Sequence, residues 1–491
     1  MKKIICTVLA FVMMLCSTSV AFAKNDVTPV IVMHGLGGAD LYENVGTSEQ
    51  KMLAQYGLDT SAMLKDEALV QEALKLLDNG RKVNYDRLFK HLGKVLKNSH
   101  INCTENGNQP KGQGILDYWE TPLSKHPEYL TLRDFSIPVV ARHVSDIIGK
   151  RNVYAFNYDW RLDVVSNAKH LRKLVVAVKK RTHAKKVTIV GLSLGGAVVS
   201  AYMDAYGNKK DVKKYVFIDA AFGGTSVARA LEFDFQLQPK SVLTYLKHLE
   251  TAFQGGAEKT TIRAIRALGD ERIKTAVGKL NRNIAKNPKL RKKFYLQVVK
   301  PWMGNCPAVW ECIPYSEFNK CVKTMSKIGF LDKKSGLYKK IKRYHAVQGR
   351  LKKNLKKVKK NGAEVVIIAN YGIRALPLTS KKMQHTDLII DTKYESAGAT
   401  VATYGKKLKV KKGKYVSPDG IINASTCALP DNTWFFKNAA HGLFRYGTPA
   451  SKFIACLVVN KDKCNIKAVK KKYGYSQFVR MDSEQRIYNI K

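Results

Sequence analysis

The residue best placed to do chemistry in this chain is Ser193, the centre of Gly191-Leu192-Ser193-Leu194-Gly195, a G-x-S-x-G pattern. The run before it, Val187 to Val190, is apolar and β-branched and reads as a buried strand. The run after it, as far as Gly207, reads as an apolar helix. A serine on the sharp turn between the two has a strained backbone, and flanking residues without a Cβ let the chain reverse there. Its hydroxyl then stands clear of the sheet at a helix start, where the Leu194 N–H is placed to hold an oxyanion. Once a base takes its proton, such a hydroxyl is a nucleophile. The structural alternative is an ordinary strand-to-helix turn with serine as the helix N-cap.

An elbow of this kind draws its acid and its base from later in the chain, in the order serine, acid, histidine. Downstream of the apolar run Ala363 to Ala369, which reads as a core strand, only His385 and His441 remain. Ser417 to Ser425 fits an acid placed just past a strand end, and after its Asp419 the last histidine is His441. The expected set is therefore Ser193, Asp419 and His441. Asp387, Asp391 and Asp431 compete for the acid, and a turn role is the alternative for Asp419. Near the start, TPVIVMHGLGG from Thr28 to Gly38 is a strand running into a glycine loop whose backbone N–H groups can face a cavity. The Leu36 N–H is the expected second oxyanion donor, and His34 reads as a structural residue at the strand end.

These groups need elements to position them. Val153 to Asn157 and Tyr215 to Ile218 read as further strands, and Ile137 to Ile148 as a helix. Asp163 opens a helix with Ala168, Leu171, Val175 and Val178 on one face. Glu49 to Asn98 is mostly helical in pattern, with DEALVQEALKLLDNG its clearest piece and Asn79-Gly80 as a stop. Cys103 to Glu128 reads as loop. A helical insertion is thus expected over about 45–135, and a second, basic one that caps the site over about 226–361. In the latter, Tyr344, Val347, Leu351, Leu355 and Val358 share an apolar face ended by Asn361-Gly362. Met1 to Ala23, with Lys2, Lys3, an apolar centre and Ala21-Phe22-Ala23, reads as a signal peptide cleaved after Ala23. The remainder, 24–491, then forms the exported, extracytoplasmic domain.

Tyr158-Asp159-Trp160-Arg161, following the strand at Val153, resembles the YDWR signature of the lecithin:cholesterol acyltransferase-like α/β-hydrolases, which include lysosomal phospholipases. The glycine loop, the G-x-S-x-G elbow and a Gly-Thr stretch at Gly224-Thr225 resemble the same family. Ser417 to Ser425 is similar to its G-D-G-T-V segment, with Pro418 in place of the first glycine. The resemblance implies an α/β-hydrolase fold: a mostly parallel central sheet flanked by helices, with helical cap insertions. It also implies a lipid ester substrate. In YDWR, Asp159 and Arg161 are expected to pair and Trp160 to brace a strand end, with direct substrate contact from Trp160 as the alternative. His34-Gly35 stands where the acyltransferases usually carry Pro-Gly, so a lipase or phospholipase stands beside acyl transfer to a sterol.

The chain carries 85 Lys and Arg against 39 Asp and Glu, a formal charge of +46. Such a balance suits an anionic membrane surface or cell-wall polymer, or is a plain compositional bias. The lysines are spread along the whole chain with no nucleic-acid motif, so no nucleic-acid partner is expected. Cys6 and Cys16 leave with the signal peptide, and seven cysteines remain, a number that leaves at least one unpaired. Export permits disulfides among them, and their spacing matches no zinc pattern. No metal or cofactor is implied, and the oligomeric state is open. The reading is a secreted serine hydrolase that cleaves or transfers the acyl groups of lipid esters. Its rivals are an esterase on a non-lipid acylated polymer and a non-catalytic cationic surface-binding protein on the same scaffold.

Overall fold

The computed structural model describes residues 27–53, 60–78, 80–116, 119–132, 136–228, 237–252, 256–375, 384–442 and 444–491. The signal-peptide reading and Asn79 lie outside them. Its centre is an eight-stranded sheet: β1 (Val30–Met33), β2 (Val153–Phe156), β3 (Val187–Leu192), β4 (Val212–Ile218), β5 (Glu364–Tyr371), β6 (Thr433–Lys437), β7 (Phe478–Met481) and β8 (Ile487–Asn489). The order across the sheet is β8-β7-β6-β5-β4-β3-β1-β2. Every pairing is parallel except β7 with β8. Strands of a parallel sheet are covered on both faces, which is why β1 and β3 read as continuous apolar runs. Every residue of both is buried.

Helices cover the two faces. On one side lie α2 (Val164–Thr182), α3 (Leu194–Tyr206), α4 (Gly336–Gly349) and α5 (Leu351–Lys360), the last packed on both α3 and β5; on the other lie α1 (Ile137–Ile148) and α6 (Pro449–Val459). Alternate residues of β1 divide between the layers, Ile31 and Met33 going to one and Val30 and Val32 to the other. The α2 helix starts where its sequence signals a start: the Asp163 carboxylate accepts the Ser166 N–H at 3.0 Å. Its Ala168, Leu171, Val175 and Val178 are buried. The α3 helix is buried from Leu194 to Met203, so it carries no polar face.

The apolar face expected from Tyr344 to Val358 is buried, but two helices carry it. The break falls at Arg350, whose guanidinium makes two bonds, 2.9 and 2.8 Å, to Asp204 on α3. The six lysines of α5 are all exposed, the solvated side of that helix. Helices at Glu67–Leu76 and Tyr85–Asn98 pack with Ile284, Tyr295, Val298 and Trp310, from the stretch between β4 and β5, in a separate apolar core. Gly93 allows this approach, since a Cβ there would lie 1.9 Å from the Gln297 carbonyl oxygen. Cys103, Cys306, Cys312, Cys321, Cys427, Cys456 and Cys464 are all thiols.

Candidate active site

Parallel order brings the carboxyl ends of seven strands, β1 to β7, to one edge of the sheet, the place where open α/β sheets bind ligands. Ser193 leaves β3 there with φ 54° and ψ −123°, the strained turn that the G-x-S-x-G pattern predicts. Backbone bonds hold it: its N–H donates to Ile218 at 3.1 Å, and its carbonyl accepts from Gly196 and Ala221, both at 2.9 Å. Close approach explains the glycines. A Cβ on Gly195 would lie 2.6 Å from the His34 carbonyl oxygen, and one on Gly35 would lie 2.6 Å from the Ser193 Cβ. The loop after β1 therefore runs against the serine itself.

Leu36 and Leu194 line the same cavity as Ser193 and His441. Leu194 is the first residue of α3, where helix N–H groups have no partner within the helix. The cavity holds about 400 Å³, and Phe294, Tyr295, Val299, Trp302, Met303, Val309, Ile389 and Ile390 form most of its remaining wall. Trp302 and Met303, which would anchor a membrane if exposed, are half-buried in that wall, and Trp310 is fully buried.

His441 follows β6. Its Nδ1 meets the Oδ2 of Asp387, and its backbone N–H donates to the Asp387 carbonyl at 2.8 Å. Asp387 is fully buried, and its Oδ1 accepts the N–H groups of Ile389 at 2.8 Å and Ile390 at 2.7 Å. The carboxylate is thus fixed before it meets the imidazole. Burial works against charging His441, but the Asp387 carboxylate, with a further contribution from Asp219, outweighs it and holds the imidazole above its ordinary pKa.

Asp419, the acid expected from sequence, is corrected by this geometry. Its carboxylate accepts from Ser417 Oγ at 2.6 Å, Lys437 Nζ at 2.9 Å and the Tyr371 hydroxyl at 3.1 Å. Burial is offset by the Ser417 and Lys437 bonds, which keep its pKa below the usual carboxylate range. It is the partner of a lysine, and the partner of His441 is Asp387. The reason is the path of the chain after β5, which makes a short hairpin, Ile373–Arg374 with His385–Thr386, and delivers Asp387 to the sheet edge. His385 packs against Tyr371 and Tyr404 in this hairpin, and burial pushes its pKa down to about 4.

The YDWR residues are all buried and stand behind the loop after β1, outside the cavity wall. Asp159 and Arg161 form a bidentate pair at 3.0 and 2.7 Å. Arg161 also reaches Gln113 at 2.8 Å and the Ile101 carbonyl at 3.3 Å, which ties the 80–116 segment to the sheet. Trp160 donates to the Ala39 carbonyl at 3.2 Å. Tyr158 stacks on His34 at 4.3 Å, gives its N–H to His34 Nε2 and its hydroxyl to the His34 carbonyl.

Two buried acids here escaped the sequence reading, Asp219 beside His441 and Glu395 beside Asp387 and Asp219. Asp219 immediately follows β4, and Glu395 lies in the short helix Thr392–Glu395. Neither sits in a motif; Asp219 had only its place at a strand's carboxyl end as a signal.

The mostly parallel eight-stranded sheet, the helices on both its faces and the serine elbow at a strand's carboxyl end are those of the α/β-hydrolase fold. The family model of lecithin:cholesterol acyltransferase matches residues 143–233, the stretch from within α1 through YDWR and the elbow. Asp387 and His441 lie beyond that match, so their place in the site rests on geometry. A comparison with curated proteins found no match.

Proposed function

We propose that this chain is a serine hydrolase or acyltransferase acting on lipid esters, with Ser193, His441 and Asp387 as its triad. The observation that carries the reading is the Asp387-held imidazole lining the same cavity as a serine in left-handed strain. In this reading His441 Nε2 takes the Ser193 proton as Oγ adds to the ester carbonyl, and Asp387 stabilises the imidazolium through Nδ1–H. The Leu36 and Leu194 N–H groups hold the oxyanion, each worth roughly a hundred- to a thousand-fold in rate. The tetrahedral adduct collapses with loss of the alcohol, protonated by His441, and leaves an acyl-enzyme. Water or a second alcohol then attacks, His441 again taking the proton.

The mostly apolar wall favours a lipid acyl chain over a polar polymer. Export of the chain and docking on an anionic membrane through its net positive charge belong to the same proposal. Labelling with a fluorophosphonate probe, followed by peptide mapping, tests the nucleophile: modification at Ser193 in the wild type and none in Ser193→Ala is expected. A lipid ester panel run with and without an alcohol acceptor then separates hydrolysis from transfer. An unlabelled, well-folded wild type refutes the reading and leaves the surface-binding alternative.

A further inference from the structure

We propose that Asp219 is a positioning residue for His441, a second carboxylate that anchors the histidine's turn from another strand and adds its charge to the imidazole. The inference rests on the triad reading above. Asp219 has φ 46°, a left-handed conformation for a residue other than glycine at the end of β4. Strain of this kind persists where surrounding contacts demand it. Here its N–H donates to the Ile368 carbonyl at 3.1 Å, its Oδ2 accepts the Gly442 N–H at 2.9 Å and its Oδ1 accepts the Asn370 Nδ2–H at 2.8 Å. The Gly442 bond fixes the residue next to His441. An oxygen of Asp219, an oxygen of Asp387 and a ring nitrogen of His441 all lie within 4.8 Å of one another. Asp387 holds His441 through the ring and through the backbone N–H, and Asp219 holds the next residue, Gly442, through its N–H.

The other ionisable groups facing this cluster are Asp387, after the β5 hairpin, and Glu395. Burial, and then the charges of Asp387 and Asp219, drive Glu395 well above the carboxylate range, and its Oε2 accepts the Asn370 N–H at 2.6 Å. Asp219 itself is pushed up to about 7, by burial first and then by Asp387, while His441 pulls it down. Its charge is therefore present above neutrality and declines below it, and imidazolium formation favours it.

Asp219→Asn separates charge from anchoring. The new Oδ1 still accepts from Gly442, and the Asn370 Oδ1, buried without a partner, turns by an amide flip to accept the new Nδ2–H. Both hydrogen bonds survive and only the charge is lost. A carboxylate at this distance raises an imidazole pKa by about half a unit even with water-like screening, and by more at lower dielectric. NMR titration of the His441 ring is expected to show its pKa lower in Asp219→Asn than in wild type by about half a unit or more, and the acid limb of kcat/KM to move with it. Asp219→Ser, which removes the same charge with a smaller side chain, is expected to move the ring pKa in the same direction if the Asn variant folds poorly. A ring pKa and an acid limb that stay in place, whatever the loss of thermal stability, mean that Asp219 only braces the turn and overturn the proposal. The NMR titration needs no turnover, so it decides the role of Asp219 even where Ser193 fails to label and the triad reading falls.

Discussion

Replacing Asp387 with asparagine is the sharpest test of the site. The carboxylate has two faces in use: Oδ1 accepts from the N–H groups of Ile389 and Ile390, and Oδ2 meets His441 Nδ1. An asparagine keeps the first face by pointing its oxygen at the two N–H groups. Its amide N–H₂ is then turned on Nδ1, which must become an acceptor, and the ring proton moves to Nε2. That is the nitrogen that must take the serine proton, so the base is lost with the fold intact. Where this tautomer change has been isolated, kcat falls about 10⁴-fold, or ~5 kcal/mol of transition-state stabilisation. We expect a loss of 10³- to 10⁴-fold here, roughly the same size, and confined to kcat. The matched control is Asp419→Asn, which removes a partly exposed ion pair with Lys437 worth about 1 kcal/mol of stability or less. It should leave kcat within about threefold, or ~0.7 kcal/mol of barrier. Both variants are measured in single-turnover assays on a short soluble ester, with circular dichroism to confirm folding. A damaging Asp419→Asn beside a benign Asp387→Asn refutes the assignment.

Gly35→Ala should cut fluorophosphonate labelling of Ser193 sharply while the melting curve stays cooperative, since its methyl would lie 2.9 Å from Oγ and crowd the nucleophile. Labelling at the wild-type rate would show that the loop after β1 moves aside. Arg161→Met leaves Asp159 charged and buried, and breaking such a pair costs about 3–5 kcal/mol; denaturant unfolding should show that loss, and a shift of under 1 kcal/mol would contradict it. Turnover on vesicles with anionic lipid should exceed that on zwitterionic ones at low salt and converge as salt rises, because each basic residue near the surface contributes about 1 kcal/mol within a Debye length. Equal rates at low salt mean that the positive charge is compositional. With Trp302 and Met303 turned into the cavity and Trp310 buried, no salt-resistant residue of binding is expected from these three.

Much of the molecule was legible in sequence because its signals are local. The α1 helix was expected at Ile137 to Ile148 and lies there, since a helix's apolar face is a property of neighbours three and four apart. Strands β1 to β5 are visible as short apolar runs, whereas β6, β7 and β8 carry no run that the sequence reading picks out. The Asp163 start of α2 was visible as a cap. Lys214 shows where this reading stops. By composition it is one more solvated lysine, yet it is buried on β4 with its ammonium on the carbonyls of Leu457 at 2.8 Å and Asn460 at 2.7 Å, closing the end of α6. Nothing within ten residues of Lys214 announces a helix terminus more than two hundred residues away in the chain.

The same division runs through the site. Strand, elbow and helix around Ser193 are contiguous, and the strain at the serine follows from backbone sterics and two glycines, so sequence alone determined the setting of Ser193. The identity of the acid was another matter. Several aspartates lie between β5 and β6, and sequence ranks them only by motif. Which one meets His441 depended on Ile373–Arg374 pairing antiparallel with His385–Thr386, and on backbone N–H groups orienting Asp387 before the ring arrives. Asp219 comes from a third strand, brought beside His441 only by the parallel order of β4, β5 and β6. Electrostatic partnership is set by distance through space, and the chain records only distance along itself.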